Sequence, residues 1–292
     1  MPNGTLGFLS SKLEKGCKDN YSVAMSIRFL FLGEIVGNGG LLALKEGLKP
    51  LREKEGIDFV IANGEGVTGG FGMGKTHALR LLKMGVDLIT TGEKTFFKRD
   101  MVSYIGSNSK ILRPANYPKR TPGRGYAIYE VKGHKVGFIT LLGNADFPRT
   151  HLANPFLMAD SLVERMREET PLIFLQFHAS TTAEKQAMAH HLAGRVSGVI
   201  GTHSKVLSAD AIILNETTAM ITDNGRCGSS QSVGGFLPEV EIERFITQIP
   251  SRSEGSLAKL QLQGVIVDVD EGGKAKTISL VREAVTPLER AI

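Results

Sequence analysis

Six short turns in the sequence carry side chains that can bind ligands or transfer protons. Each turn follows a short apolar run and delivers carboxylate, imidazole or ammonium groups at its end. In α/β proteins, ligands bind beyond the carboxyl ends of the strands, where such turns collect. A single histidine at a strand end is more often a structural group than a ligand, but six such turns together predict a functional crevice. The turns span residues 33–37, 63–66, 91–94, 176–179, 201–205 and 222–225.

A glycine-rich segment, residues 69–76 (GGFGMGKT), matches the phosphate-binding pattern G-x-x-x-x-G-K-[ST] letter for letter. That motif binds phosphate because its loop follows a strand directly and opens a helix. Here the predicted strand ends near Ala62, and residues 63–68 intervene before the first glycine. We also find no convincing apolar strand that ends in an aspartate and could hold a nucleotide-bound magnesium ion. We therefore interpret the segment as a connection into a helix rather than a nucleotide site.

The elements that must position the six turns alternate between strands and helices. Apolar runs predict strands at residues 27–33, 58–62, 86–90, 172–177, 196–201, 219–222, 258–268 and 276–281, with a hairpin at 126–131 and 135–142. Helices are predicted at residues 41–54, 76–84, 155–169, 182–192 and 238–248. Repeated strand–helix units with later strand–strand pairings predict an α/β protein with mixed sheets. We expect a flexible extension over residues 1–24, one domain over 25–283 and a tail over 284–292.

The composition of the chain excludes several classes of protein. Its 292 residues are 41% hydrophobic and 22% charged, which is typical of a globular domain. Two cysteines are too few for a disulfide framework, so we expect a cytoplasmic protein. No apolar run approaches the roughly 18 residues of a membrane helix, so no membrane association is expected. Tryptophan is absent and aromatic residues make up 7% of the chain, which argues against nucleic-acid binding.

Positive charge is concentrated between residues 110 and 135, where seven basic side chains accompany one acidic side chain. Such a window can attract phosphate or an acidic partner surface. The same composition is typical of a solvated turn region rich in proline and glycine. The sequence leaves both interpretations open.

The strand-end turns resemble those of a bacterial family, the calcineurin-like metallophosphoesterases known as 2',3'-cyclic-nucleotide 2'-phosphodiesterases. The family shows G-D-I-V-G, A-N-G-E-N, G-N-H, R-P-A-N-[FY]-P, F-H-A-E, G-T-H-T-H and T-D-x-G in that order. This sequence has GEIVG at 33–37, ANGEG at 62–66, GEK at 92–94, RPANYP at 113–118, FHAS at 177–180, GTHSK at 201–205 and TDNG at 222–225. The resemblance extends from Met25 to Val281. It implies two packed mixed β-sheets flanked by helices, a site at the carboxyl ends of the strands, and a homo-oligomer.

The sequence departs from the family at positions that the resemblance assigns to the first of two metal ions and to catalysis. Glu34 replaces an aspartate ligand, and Lys205 replaces a histidine ligand. A protonated lysine has no lone pair to give to a metal. We therefore expect a Lys205–Glu34 ion pair, which Glu65 can share, in place of the first ion, and no dinuclear centre. Lys94 replaces the histidine that protonates the leaving group, and a lysine with a pKa near 10.4 exchanges protons poorly at neutral pH.

The second metal position keeps more of the ligands that the resemblance implies. Glu65 matches the family's bridging carboxylate, His178 and His203 match two histidine ligands, and Glu93 stands where the family has asparagine. These four side chains could hold one Mn, Fe or Zn ion. Alternatively, the nearby ammonium groups neutralise the glutamates and no ion is held tightly. The sequence does not decide between these two arrangements.

Gly66 and Ser180 remove two more polar groups from the crevice, so efficient hydrolysis by the family's mechanism is not expected. Our main hypothesis is a pseudoenzyme that uses the phosphoesterase fold for assembly with a protein partner or for binding. The alternative is a phosphodiesterase that uses one metal ion on cyclic nucleotides or small phosphodiesters. A second alternative is a sensor that binds a small phosphate ligand without cleaving it. Arg113, Asn116 and Asp223 are predicted to line the pocket or to bind phosphate.

Overall fold

The computed structural model describes residues 26–147 and 152–287. The strands in this part of the chain are β1 (Ile27–Ile35), β2 (Phe59–Asn63), β3 (Leu88–Thr90), β4 (Ile111–Leu112), β5 (Tyr126–Val131), β6 (His134–Leu142), β7 (Ile173–His178), β8 (Gly198–Thr202), β9 (Ile212–Leu214), β10 (Thr218–Ile221), β11 (Arg226–Ser229), β12 (Leu260–Val269) and β13 (Ala275–Ala284). The helices are α1 (Gly37–Glu55), α2 (Lys75–Lys83), α3 (Arg99–Ser107), α4 (Pro155–Arg167), α5 (Thr182–Leu192) and α6 (Pro238–Thr247). No helix within these residues is long and apolar enough to cross a membrane.

The strands form two mixed sheets that pack against each other. The first sheet has the strand order β13-β12-β11-β1-β2-β3-β4, and the second has the order β5-β6-β7-β8-β10-β9. One apolar cluster lies between the two sheets. A second cluster lies between the first sheet and its outer helices, and a third lies between the second sheet and its outer helices. The predicted fold class, two packed mixed sheets flanked by helices, is confirmed.

Strand β1 illustrates why this layered arrangement forms. Phe29 and Phe31 lie in the cluster between the sheets, whereas Leu30 and Leu32 lie in the cluster that includes α1. Because successive side chains of a strand point to opposite faces, the continuous apolar run at residues 29–32 must be covered on both faces. The ring of Phe174 on β7 lies 4.8 Å from that of Phe29, so aromatic contacts join the two sheets.

The carboxyl ends of the central strands bring the predicted turns together. Strands β1, β2 and β3 run parallel in the first sheet, and β6, β7 and β8 run parallel in the second. The register between β1 and β2 shifts between Leu32 and Glu34, which forms an irregularity at Gly33. A Cβ at Gly33 would overlap the backbone of Gly225, so only glycine allows this close approach. The irregularity fixes the position of Glu34 at the end of β1.

The glycine-rich segment at residues 69–76 leads into α2 without forming a phosphate site. The N–H of Lys75 donates to Oδ2 of Asp100 over 2.9 Å, and the N–H of Gly74 donates to the Thr68 hydroxyl over 2.9 Å. A bound phosphate would need these same donors. A carboxylate and a hydroxyl of the protein therefore occupy the place of the anion, in agreement with the sequence interpretation.

Several short elements were not predicted from the sequence. Strands β4, β9 and β11 have two to four residues, which is too short for a detectable alternation of apolar and polar positions. Strand β13 also extends past its predicted end, and Val285 packs into the core beyond the expected domain boundary at 283. The predicted extension over residues 1–24 lies outside the described residues, as does the tail after 287.

Cys227 on β11 is fully buried, and burial raises the pKa of its thiol to about 12. We predict that iodoacetamide at pH 8 leaves this thiol unmodified in the folded protein, because it is inaccessible and only about one thiol in 10⁴ would be ionised. A Cys17→Ser variant makes Cys227 the only thiol of the chain, and mass spectrometry measures the labelling. Denaturant should allow complete modification, whereas rapid modification without denaturant would contradict the buried position.

Candidate metal centre

Four side chains from both sheets converge on one point. Glu65 and Glu93 lie in the turns after β2 and β3, His178 ends β7, and His203 follows β8. Nε2 of His178 lies 2.6 Å from Oε2 of Glu93 and 3.2 Å from Oε2 of Glu65. Nδ1 of His203 lies 3.1 Å from the same Nε2. The ligand atoms of Glu93, His178 and His203 all lie within 4.8 Å of one another, and Glu65 adjoins them at His178. We call these four residues the ligand cluster.

The surroundings of Glu65 fit a bound cation. Its Oε2 atom is buried and makes no hydrogen bond to any described residue. Its Oε1 atom accepts the backbone N–H of Lys94. Burial and the neighbouring carboxylates of Glu93 and Glu34 raise the pKa of Glu65 well above its usual range. A buried carboxylate of this kind is costly unless a proton or a cation neutralises it.

The surroundings of His178 also fit a metal ligand. Burial lowers the pKa of its imidazole, which favours the neutral form that can donate a lone pair. Its Nδ1 atom lies 2.8 Å from the Thr202 hydroxyl, and this contact leaves Nε2 directed at the two carboxylates. Ligating histidines commonly use their second nitrogen in this way to fix the ring. Two imidazoles and two carboxylates are a donor set that suits Mn, Fe or Zn.

Lys205 and Glu34 form the ion pair that the sequence predicts. Nζ of Lys205 lies 3.3 Å from Oε1 of Glu34, whose side chain is only 2% exposed. The contacts around Glu65 involve Lys94 and His178, so the predicted sharing of the Lys205 ammonium with Glu65 is not found among them. Within the described chain, the ammonium pairs with Glu34 and lies 5.9 Å from the centre of the Phe236 ring, beside the ligand cluster rather than within it.

Gly66 makes room for the long side chain of Glu34. A Cβ atom built on Gly66 would overlap Oε1 of Glu34, and any larger side chain would collide with the carboxylate. A shorter aspartate at position 34 would leave that space free. Residues 34 and 66 are therefore sterically coupled, because a side chain at position 66 would need the space that the Glu34 carboxylate occupies.

Lys94 contacts the ligand cluster through Glu93. Its Nζ atom lies 3.2 Å from Oε1 of Glu93. Burial disfavours the charged amine, but the carboxylates of Glu93, Glu34 and Glu65 outweigh it and raise the pKa of Lys94. The amine is therefore protonated at neutral pH, where it can donate hydrogen bonds but cannot accept a proton.

Three residues that the sequence assigned to the pocket have their polar groups committed to the fold. The Arg113 guanidinium donates to three backbone carbonyls of its own loop. The Asn116 side chain forms two hydrogen bonds with the backbone of Leu142. Asp223 is buried and accepts the N–H of Ser204. These contacts hold the three side chains within the fold, and their predicted roles in lining the pocket or binding phosphate stay predictions.

The sequence analysis missed two residues near the cluster. The Phe147 ring lies 5.3 Å from the ring of His203 and 6.2 Å from that of His178, in a loop without any recognisable motif. Lys185 lies on α5 and is buried beside Asp223. Its spacing from Met188 and Leu192 marks the core face of the helix, so a lysine there could have been noticed.

Comparison with known proteins matches residues 30–281 to the family described as YmdB-like protein. The chain is 37% identical over 256 residues to a 2',3'-cyclic-nucleotide 2'-phosphodiesterase of Bacillus subtilis (strain 168). The aligned region covers 88% of this chain and 96% of the Bacillus protein. A crystal structure of a novel phosphatase from Mycoplasma pneumoniae superimposes with a TM-score of 0.84 at 32% identity and covers 90% and 95% of the two chains.

A second crystal structure, of a hypothetical protein from Thermus thermophilus, superimposes with a TM-score of 0.82 at 32% identity. It covers 89% of this chain and 100% of that one. The Bacillus and Mycoplasma proteins are named for hydrolysis of phosphoesters. These similarities favour the phosphodiesterase hypothesis, and none of them supports the pseudoenzyme hypothesis.

The overlap at Gly66 generates a testable coupling. We predict that Gly66→Asn lowers the free energy of unfolding by about 1–3 kcal/mol, because the new side chain collides with Glu34. In a Glu34→Asp background the same substitution should cost at least about 1 kcal/mol less. Urea unfolding of the two single variants and the double variant measures the coupling. Gly255→Asn is the control, because nothing lies within 4 Å of its Cβ position. Strictly additive effects of the two substitutions would contradict the steric coupling.

Proposed function

The chain belongs to the YmdB-like family, and we propose that it is a phosphodiesterase that works with one divalent metal ion. The observation that carries the proposal is the ligand cluster, in which a buried oxygen of Glu65 lies 3.2 Å from Nε2 of His178 and forms no hydrogen bond with any described residue. The name of the Bacillus relative supports a cyclic nucleotide or another small phosphodiester as the substrate.

The ligand cluster would hold the ion through Glu65, Glu93, His178 and His203. A divalent ion bound there polarises a phosphoryl oxygen and lowers the pKa of a bound water. Mn, Fe and Zn all suit this donor set. The neutral His178 imidazole and the Glu65 oxygen without a hydrogen bond suit such an ion, because the groups hydrogen-bonded to Nε2 of His178 belong to Glu93 and His203, which are themselves members of the ligand cluster.

Lys205 would supply positive charge where the resemblance implies the first of the family's two ions. Its ammonium is held by Glu34 and can donate a hydrogen bond to a phosphoryl oxygen. Such a donor stabilises the negative charge that develops on phosphate in the transition state. An ammonium carries less charge than a divalent ion, so we propose a weaker catalyst than a dinuclear relative.

Lys94 would act on the leaving group as a hydrogen-bond donor. It is protonated at neutral pH beside Glu93, so it can stabilise the leaving oxygen but does not readily exchange protons with water. Replacement of an acid–base group with a pKa near neutrality typically costs about 10²–10⁴-fold in rate. We therefore propose slow hydrolysis rather than none.

The proposal predicts the metal content and activity of the purified protein. After removal of metal and reloading with Mn²⁺, we expect about one ion per chain and slow, Mn²⁺-dependent hydrolysis of bis-p-nitrophenyl phosphate. His178→Ala should abolish both, because it removes a central ligand. His134→Ala is the matched control, since this histidine begins β6 in the hairpin and is not part of the ligand cluster.

Elemental analysis and a colorimetric assay make these two measurements. A folded protein that binds none of Mn²⁺, Fe²⁺ and Zn²⁺ and shows no hydrolysis with any of them would contradict the proposal and support the pseudoenzyme hypothesis.

Reversal of three departures from the family pattern tests the role of Lys205. We predict that the triple variant Glu34→Asp, Gly66→Asn, Lys205→His binds about two ions per chain. The reason is that it removes the ammonium, restores two ligands that the resemblance implies, and makes room for the asparagine. Lys205→Met removes the charge without adding a ligand, so its content should stay at about one ion. A folded triple variant that still binds one ion would contradict the role of the ammonium as a replacement for the first ion.

A further inference from the structure

We propose that Lys185 and Asp223 are positioning residues that hold His203 in the ligand cluster. This role rests on the proposed function, because His203 is used there as a metal ligand. Nζ of Lys185 lies 3.1 Å from Oδ2 of Asp223, and the two side chains are only 3% and 4% exposed. A charged pair this deeply buried lies directly beneath the turn that carries His203.

The Asp223 carboxylate joins helix α5 to the turn at residues 203–205. Its Oδ2 atom accepts the backbone N–H of Ser204 over 2.7 Å, and its Oδ1 atom accepts that of Gly225 over 3.0 Å. Nζ of Lys185 also donates to the Ser204 hydroxyl over 3.2 Å. Ser204 is therefore held through both its backbone and its side chain, while the residues on either side of it face the site.

The turn needs this support because its backbone conformation is unfavourable. His203 has a φ of 108° and Lys205 has a φ of 60°, and residues other than glycine rarely adopt such values. Such conformations persist only where the surrounding structure enforces them, and they are concentrated at functional sites. On the far side of the turn, Nη1 of Arg226 donates to the carbonyl of Lys205 over 2.8 Å. Ser204 and the Lys205 carbonyl are thus fixed from opposite sides.

The position of the turn determines where one proposed metal ligand, His203, and one ammonium group, that of Lys205, lie in the site. His203 enters the ligand cluster and Lys205 pairs with Glu34, although only Ser204 separates the two residues. A buried ion pair is weak support for stability, because the cost of removing both charges from water offsets their attraction. The contacts of the Lys185–Asp223 pair with Ser204 instead indicate that the ion pair maintains the geometry of the turn.

Lys185→Met tests the role, because it keeps the length of the side chain and removes its charge. We expect the dissociation constant for Mn²⁺ to rise about 10–100-fold, as is typical when support for a metal ligand is lost. In the metal-free protein, we expect the Ser204 amide to exchange with solvent at least about tenfold faster, because its acceptor is no longer held. Electron paramagnetic resonance of free Mn²⁺ and hydrogen exchange by NMR measure the two quantities. If Lys185→Met does not fold, Asp223→Asn replaces it with the same expectations.

Asp268→Asn is the matched control. It breaks the ion pair of Asp268 with Arg28 near the start of β1, at the opposite end of the strand from Glu34. This variant should lose stability yet keep the affinity for Mn²⁺ and the exchange rate of Ser204. Equal loss of affinity in both variants, or an unchanged Ser204 exchange rate in Lys185→Met, would overturn the positioning role. If the unsubstituted protein binds no Mn²⁺, the proposed function fails, and the metal-free exchange measurement alone decides whether the pair holds the turn.

Discussion

The structure depends on the neutralisation of three glutamates that meet at the carboxyl ends of β1, β2 and β3. Glu34 pairs with the ammonium of Lys205, and Glu93 pairs with that of Lys94. Glu65 lies between them with a buried oxygen that makes no hydrogen bond within the described chain. Because a buried carboxylate is costly unless a proton or a cation neutralises it, this arrangement favours further positive charge beside Glu65. Two lysines and one divalent ion together would meet that requirement, which explains why lysines can occupy the crevice of a metal-binding fold.

Close contacts with the backbone determine where the charged side chains of the site lie. Glu34 can extend towards Lys205 because position 66 has no side chain. His203 and Lys205 approach from the second sheet on a turn whose conformation is enforced by buried charges. The positions of Glu34 and Gly66 therefore depend on each other, and one turn places both His203 and Lys205 in the site.

Much of this organisation could be predicted from the sequence because its signals are local. The alternation of strands and helices predicted an α/β protein with mixed sheets, and the family resemblance implied two packed sheets. The resemblance together with the chemistry of lysine predicted the Lys205–Glu34 pair. Contacts at positions to which the resemblance assigns no role in the site could not be predicted. The overlap of Gly66 with Glu34 and the pairing of Lys185 with Asp223 depend on how turns and helices pack. The hydrogen bonds of the Arg113 guanidinium to its own loop likewise depend on the folding of that loop and could not be predicted.

We propose that one divalent ion and the Lys205 ammonium together supply the positive charge that two ions would otherwise provide. Anomalous diffraction at the manganese edge from crystals grown with Mn²⁺ tests it most directly, because it locates each ion relative to the side chains. We expect a single anomalous peak between Glu65, Glu93, His178 and His203, with the Lys205 ammonium still beside Glu34. Two peaks, with Lys205 displaced from Glu34, would contradict it, and so would the absence of any peak in the crevice.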